Sequence, residues 1–388
     1  MKKTNLWHVA IMSMGLLFAS CQKSPVNEAE DPLNETVSRE GLDEAADLES
    51  ASVKVFATGL NNPRGLKFGP DGHLYVAEGG VGGSNSTIGI CDQVPFPVGP
   101  FTGSPTGGRI SRINKHGVRH TVTDNLPSAK GNEISGGSII GVADVAFVGH
   151  QMYALLAAGG CAHGVPSIPN AVIKVKPNGN WHIVANLSNW FKNNPAADPD
   201  EGDFDPDGGP QSMISVGFNL YVMEANSGQL LKVSPWGHIS RVVDISAAVG
   251  HIVPTTVAFN GHFIFGNLGI FPIVDGSSSL YRLKYSGEVD EIATGFSTIM
   301  GVCFDRWGRI YVLQNTTGNP FPTPGTGSII RINHFGQRKT IATGLTLPTG
   351  MTFGPDGKLY VSNVGFGPAA IGGGEILQIS LRRSHDEW

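Results

Sequence analysis

The chain has 388 residues, of which 53 are glycine and 25 are proline, and its formal net charge is −5. This many glycines and prolines predicts frequent turns and leaves little room for long helices. The negative charge is concentrated in residues 22–52, so residues 53–388 are close to neutral. A neutral domain lacks the basic surface that phosphate binding requires, and we therefore expect no nucleic-acid partner.

The first twenty residues have the pattern of a secretory signal. Two lysines at 2–3 precede an apolar stretch at 6–18, which is too short to span a membrane. The segment 18–21 resembles a bacterial lipobox, which implies cleavage before Cys21 and attachment of lipid to it. An ordinary secretory signal, with an incidental cysteine, is the alternative.

Residues 21–52 are expected to form a flexible linker that starts from the lipidated cysteine. Residues 22–52 contain nine Asp or Glu against two Lys or Arg, a composition that stays solvated. Gln22 follows the cysteine where an Asp would stand in an inner-membrane lipoprotein. We therefore expect an outer-membrane lipoprotein that faces the periplasm or the cell surface, touches the membrane only through its lipid and is a monomer.

Internal self-similarity predicts the fold. Residues 57–76 and 342–361 share the pattern Ala-Thr-Gly-Leu, Gly-Pro-Asp-Gly and Leu-Tyr-Val, and four weaker copies lie between them. Each copy divides into four short strands, a to d, which are rich in β-branched residues and separated by glycine turns. Six such units predict an all-β, six-bladed β-propeller over residues 53–383.

The two ends of the repeat predict how the ring closes. The last copy has no strand d after its strand c at 375–381, whereas Val53–Ala57 forms a strand before the first copy. We expect this N-terminal strand to complete the last blade. An open solenoid would leave both ends unpaired.

The strand order sorts the connections onto two faces. Short a–b and c–d turns, such as those at Gly72 and Gly117, define the turn face. Binding residues concentrate on loops that a rigid scaffold holds, so the opposite, loop-rich face is the predicted functional face. The long b–c and d–a connections that define the loop-rich face are residues 79–107, 127–140, 157–170, 188–210, 246–253, 267–277, 315–327 and 365–374.

Polar residues end strand b in five of the six copies. They could form a ring of oxygen ligands around the channel mouth, or each could cap its own blade, which we favour because a repeated residue usually serves the repeat. The five residues are Glu78, Glu224, Asn267, Gln314 and Asn363.

A second set of candidates lies at the start of strand a, nearest the axis. These residues differ from blade to blade and could shape an axial pocket, although Arg64 and Asp144 could instead form an ion pair between neighbouring blades. The set comprises Arg64, Asp144, Gln211, Thr255 and Thr349.

Two further motifs lie on the loop-rich face. Asp203, Asp205 and Asp207 match the opening of a calcium-binding loop, with an exposed acidic turn as the alternative. Cys91 and Cys161 fall in loops of adjacent blades and could form a disulfide in an oxidising compartment, whereas Cys303 lies inside a strand. Calcium is the one cofactor that the sequence suggests.

The stretch from Gly59 to Glu78, with its Pro-Arg-Gly-Leu and Gly-Pro-Asp-Gly segments, resembles the ScyD/ScyE family of secreted, NHL-like propellers. The resemblance covers residues 53–381 but departs at Pro210–Ile214, where the third blade begins. It implies the propeller fold and an extracytoplasmic location. It implies no reaction, so no catalytic residue is carried over.

Two functions follow as hypotheses. The favoured one is a non-catalytic binding or scaffold module that presents its loop-rich face to a small molecule, glycan or protein, because no nucleophile elbow, P-loop, dinucleotide fingerprint or zinc motif occurs. The alternative is an axial-site enzyme of the lactonase, strictosidine-synthase-like or quinoprotein sugar dehydrogenase type. The ring of Glu78, Glu224, Asn267 and Asn363 is the only feature that supports this alternative, because fold analogy alone is weak evidence.

Overall fold

The computed structural model describes residues 51–199, 202, 204–367 and 370–381. The predicted signal, Cys21 and the linker up to residue 50 lie outside this part of the chain. In chain order, the strands of the described residues are β1 (Ser52–Asn61), β2 (Pro63–Phe68), β3 (Leu74–Glu78), β4 (Asn85–Ser86), β5 (Thr102–Ile113), β6 (Arg119–Lys130), β7 (Ile139–Ile140), β8 (Val142–Val148), β9 (Gln151–Leu156), β10 (Ala171–Val175), β11 (Trp181–Asn186), β12 (Pro210–Val216), β13 (Asn219–Glu224), β14 (Gln229–Val233), β15 (Ile239–Asp244), β16 (Pro254–Phe259), β17 (Phe263–Asn267), β18 (Ser278–Leu283), β19 (Val289–Phe296), β20 (Ile299–Phe304), β21 (Ile310–Gln314), β22 (Gly327–Ile332), β23 (Arg338–Leu345), β24 (Gly350–Phe353), β25 (Leu359–Asn363) and β26 (Ile371–Ser380).

These strands form six antiparallel sheets, which are the blades of a β-propeller. Blade 1 contains β2, β3, β5 and β6, with β4 and β7 added at its margin; blades 2 to 5 contain β8–β11, β12–β15, β16–β19 and β20–β23. Blade 6 contains β24, β25, β26 and β1. The innermost strands contact one another around the whole ring, including β24 against β2. The predicted six-bladed propeller is confirmed.

The N-terminal strand closes the ring. In the antiparallel pair of β1 and β26, Val53 lies opposite Ile379, Val55 opposite Leu377 and Ala57 opposite Ile376. β1 thus supplies the strand d that blade 6 lacks. Both ends of the paired segment, Ser52 and Ser380, lie on the turn face, because strand d starts and strand c ends there.

The core lies between the blades, so both faces of each sheet are buried. In β9 the five residues from Met152 to Leu156 are all buried, where a strand with one wet face would alternate. One apolar cluster joins Ala77 and Ile110 of blade 1 to Val145 and Ile173 of blade 2. Neighbouring blades therefore stabilise each other through shared apolar contacts.

Two of the connections are more regular than the sequence predicts. β5 begins at Thr102 and β6 continues to Lys130, within segments 79–107 and 127–140 that we expected to be irregular. The register of the hairpin breaks at residues 104–108, and on the side of this break away from the turn Thr102 pairs with Lys130. The glycine-rich Thr106-Gly107-Gly108 segment bulges at this break, which lets the hairpin resume pairing beyond it. Two short helices, α1 (Leu187–Asn193) and α2 (Ile245–Val249), lie in other d–a connections.

A substitution at Leu60 tests whether β1 closes the ring. This β1 side chain is fully buried in a cluster with Leu74 of blade 1 and Ile376 of blade 6. Leu60→Ala should lower the free energy of unfolding by about 2–5 kcal/mol, because it leaves a cavity at the seam. The measurement is chemical denaturation, with Val53→Ala at an exposed position of the same strand as control. Equal effects of the two substitutions would contradict the closure.

Candidate functional site

The polar residues at the ends of the b strands turn back into their own blades. Glu78 is fully buried, and its carboxylate accepts hydrogen bonds from the backbone of Asn61, from the Arg109 guanidinium and from the Ser111 hydroxyl. The Arg109 Nη2 atom lies 2.5 Å from Glu78 Oε2. Asn61 stands immediately before blade 1, so Glu78 fixes the connection that leads into that blade.

The same arrangement recurs around the ring. The Glu224 carboxylate accepts from the backbone of Gly209, which precedes β12, and from Ser227, and burial raises its pKa although these hydrogen bonds oppose the shift. Each of the three amide residues likewise bonds to the backbone that leads into its own blade. The amide pairs are Asn267 with Ile252, Gln314 with Ser297, and Asn363 with Thr346.

A narrow channel runs along the axis between the six innermost strands. Its cavity volume is about 40 Å³, with space for roughly three water molecules. Strand a runs from the loop-rich face to the turn face, so its first residues line the mouth on the loop-rich face. The structure brings all five predicted axial residues to this channel, namely Arg64, Asp144, Gln211, Thr255 and Thr349.

The hydroxyl groups of Thr255 and Thr349 form hydrogen bonds within the fold. Thr255 donates its hydroxyl to the carbonyl of Ile299 in blade 5, and Thr349 donates to the carbonyl of Pro63 in blade 1. Both bonds cross from one blade to the next. These hydroxyls therefore join the inner strands and have little capacity left for a ligand.

Asp144 is the carboxylate of the channel, and its side chain is buried. Burial raises its pKa, although nearby Lys67 and the backbone N–H groups of Met213 and Val145 favour the charged form. The carboxylate fits because its neighbour on blade 1 is Gly65: a Cβ atom there would lie 2.0 Å from Asp144 Oδ1. Lys67 also lines the channel, although no pattern in the sequence singles it out.

Arg64 and Gln211 keep hydrogen-bonding capacity at the mouth. Arg64 donates to the carbonyl of Ile139 rather than to Asp144, so the ion pair considered from the sequence does not form. Burial lowers the Arg64 pKa to about 10, which leaves the guanidinium charged at neutral pH. Gln211 has no hydrogen-bond partner within the described part of the chain, so its amide is free to bind a ligand.

The acidic motif lies off the axis, between blades 2 and 3. Asp205 Oδ2 lies 2.9 Å from Nε2 of the buried His163, and Asp207 Oδ1 lies 3.2 Å from the Lys192 ammonium. A cavity of about 310 Å³ beside Asp207 is lined by Cys161, Ser188 and Lys192, among others. Asp203 lies outside the described residues, so the calcium loop stays a prediction, and cationic side chains already contact the other two carboxylates.

A disulfide joins the loops of blades 1 and 2 at this place. Cys91 and Cys161 are bonded, with their Cα atoms 6.4 Å apart. Cys161 begins the short 3₁₀ turn that contains His163, and Asp207 accepts a hydrogen bond from the backbone of Ala162 in the same turn. Cys303 lies in β20 as a free thiol, and burial raises its pKa to about 12. The disulfide therefore anchors the turn that presents His163.

Comparison with known proteins gives structural neighbours alone. No protein family model matches the chain, and no curated protein sequence does. A gluconolactonase from Xanthomonas campestris is similar at 11% identity and a TM-score of 0.50, over 87% of this chain and 92% of that one. A protein from Thermus thermophilus described as a putative oxidoreductase (glucose dehydrogenase) is similar at 16% identity and a TM-score of 0.51, over 85% of this chain and 100% of that one. These identities show a shared propeller fold.

These neighbours correct one prediction. The expectation of a non-catalytic binding or scaffold module is contradicted, because the solved structures that share this fold include a gluconolactonase and glucose dehydrogenases. That expectation rested on the lack of a local catalytic motif. A propeller instead assembles its axial residues from six separate strands, so a contiguous motif is not required.

His163 gives a pH-dependent test of the off-axis cluster. Burial alone would lower its pKa, but the adjacent Asp205 carboxylate outweighs burial and raises the pKa from 6.5 to about 9. The stabilisation from this pair is therefore complete below pH 6.5 and is lost as the pH rises through about 9. His163→Gln should abolish this fall and lower stability at neutral pH by about 3 kcal/mol.

Chemical denaturation at several pH values measures both effects. His150→Gln, at an exposed turn of blade 2, is the control and should keep the pH dependence of the parent. Parallel pH profiles for the parent and His163→Gln would show that the pair does not form in solution.

Proposed function

We propose that the protein is an enzyme that hydrolyses a small lactone at the loop-rich mouth of its axial channel. The observation that carries the proposal is the position of Asp144, a buried carboxyl with a raised pKa, in the same channel as the Arg64 guanidinium and the Gln211 amide. A perturbed carboxyl in a concave site is a candidate general base. Its neighbours can bind and polarise a carbonyl group.

Each group has one role in this reaction. The Arg64 guanidinium and the Gln211 amide donate hydrogen bonds to the carbonyl oxygen of the lactone. The ionised Asp144 takes a proton from a water molecule, whose oxygen bonds to the carbonyl carbon. The ring C–O bond then breaks, and the proton passes from Asp144 to the leaving alkoxide, which gives the open hydroxy acid. Arg64 stabilises the negative charge that develops on the carbonyl oxygen.

The residues do not fit an axial metal ion or organic cofactor of the kind that the lactonase and dehydrogenase classes use. Asp144 is the one carboxylate at the channel, and Glu78 and Glu224 are bonded within their own blades. No cluster of three metal-ligating side chains occurs among the described residues. The channel is also far below the ~300 Å³ of a typical cofactor pocket. The proposed steps therefore use the chain's own residues.

Asp144→Asn tests the assignment of the base. Hydrolysis of a panel of five- and six-membered sugar lactones, followed by acid release, should fall by about 100-fold or more in kcat/KM. In the parent, kcat/KM should rise with pH as Asp144 ionises. The midpoint should lie above the usual value for Asp, because burial raises the pKa. This limb of the profile should disappear in the variant.

The matched control is Asp124→Asn, an exposed carboxyl on β6, which should retain the parent rate. Arg64→Gln should lower kcat and raise KM, because it removes the charge that holds the carbonyl. An unchanged rate in Asp144→Asn, or no hydrolysis of any lactone by the parent, would rule out the proposal.

We further propose that the protein acts outside the cytoplasm, as the ScyD/ScyE resemblance also implies, and that it is an outer-membrane lipoprotein. The lipobox at 18–21 and the disulfide between Cys91 and Cys161, a bond typical of oxidising compartments, support this location. Among the described residues, no helix is long and apolar enough to span a bilayer.

Lipidation can be measured on the intact protein. Mass spectrometry after expression in a diderm bacterium should give a chain that begins at Cys21 and carries acyl groups, and Cys21→Ala should remove them. A mature chain that starts elsewhere, without lipid, would contradict the anchor.

A further inference from the structure

Four side chains stand out by their exposure. Phe218, Trp236, Tyr285 and Phe335 are between 80% and 89% exposed. No other large hydrophobic side chain in the described part of the chain exceeds 74%. Side chains of this size that are left in water on one area of a protein mark an interaction surface more often than a structural need.

All four lie on the turn face, within half of the ring. Phe218 is in the a–b turn of blade 3, and the other three are in the c–d turns of blades 3, 4 and 5. Trp307, in the a–b turn of blade 5, is 53% exposed. We call these five residues the aromatic half-face. The a–b turns of blades 1, 2 and 6 and the c–d turns of blades 1 and 2 carry the polar residues His73, His116, His150, Asn178 and Lys358, although Val118 in one of these turns is also 50% exposed.

The aromatic half-face is held in place. The Tyr285 hydroxyl donates to the carbonyl of Gly261, which ties two turns of blade 4 together at 2.7 Å. His334 contacts the carbonyl of Trp307 at 3.0 Å and links the two turns of blade 5. The Arg306 guanidinium lies 4.0 Å from the Trp307 ring centroid, so a cation accompanies the apolar surface. Rigid aromatics with polar edges beside basic groups are the side chains that settle at a lipid–water interface.

We propose that the aromatic half-face docks on the surface of a lipid bilayer. The course of the chain favours this occupant. Strand β1 begins on the turn face at Ser52, and the residues before it include Cys21, the predicted site of the lipid anchor. Thirty-one peptide steps separate Cys21 from Ser52, so the chain between them spans at most about 110 Å. The anchor therefore holds the turn face at a high effective concentration near the lipid, and a weak contact suffices for docking.

Fluorescence quenching by brominated lipid tests the contact. The full-length protein is reconstituted into phosphatidylethanolamine–phosphatidylglycerol vesicles with brominated acyl chains, and indole fluorescence is compared with that in bromine-free vesicles. We expect quenching in the parent and a partial loss in Trp236→Phe, with the remaining quenching coming from Trp307 on the same face. Tyr285→Ser/Phe335→Ser, which keeps every tryptophan, should lose most of the quenching, because the face no longer rests on the bilayer.

The matched control is Phe96→Ser/Phe321→Ser, which removes two exposed aromatics from the loop-rich face and should be quenched like the parent. Circular dichroism confirms that each variant is folded. Absence of quenching in the parent would overturn the proposal, and so would equal losses in both double variants. A dimer in detergent that dissociates in Tyr285→Ser/Phe335→Ser would assign the face to a second copy of the chain and would equally overturn it. None of these readouts depends on the lactonase activity.

Discussion

The pairing of β1 with β26 is the contact on which the rest of the molecule depends. It supplies the fourth strand of blade 6 and lets β24 pack against β2, so that six sheets close around one axis. Closure leaves short, protected sheet edges and buries both sides of every blade. It also fixes the direction of each strand a, and thereby which residues reach the mouth of the channel and which face holds the start of the described chain.

Polar residues that recur at the same position in each blade have a different role from those that occur in one blade. Glu78, Glu224 and the three amides share one position and one task, since each bonds the backbone that leads into its own blade. A repeated residue of this kind holds the d–a connections in place. Asp144 departs from the pattern because the equivalent positions of other blades are small residues such as Gly65 and Gly301. Its carboxylate lies against Gly65 and lines the channel.

The fold could be predicted from the sequence because each repeat is a continuous stretch of chain. The residues of the site come from separate blades. Gly-Pro-Asp-Gly and Leu-Tyr-Val recur at fixed spacing, so strand order, blade number and closure follow from them. The contact of Glu78 with Arg109 could also have been predicted, since the two residues lie opposite each other in the pairing of β3 with β5. The pairing of His163 with Asp205 was not, because the two are 42 residues apart in loops of different blades. Nothing in the repeat dictates how those loops meet.

Non-catalytic function was the inference that failed, and the reason is physical. Arg64, Asp144 and Gln211 come from three different blades, each in a stretch of sequence that would suit an ordinary strand. What makes Asp144 a candidate base is its loss of solvent, and burial of this kind depends on the closed ring rather than on neighbouring residues in the sequence. Aligning the repeats placed Asp144 near the axis, but a search for local motifs could not identify it as a base.

The two proposals constrain each other through the opposite faces on which they lie. If the aromatic half-face rests on lipid, the mouth that holds Arg64 and Gln211 points away from the bilayer, because strand a carries the chain from one face to the other. The site would then meet water-soluble molecules and not acyl chains within the membrane. A small, polar lactone satisfies this condition.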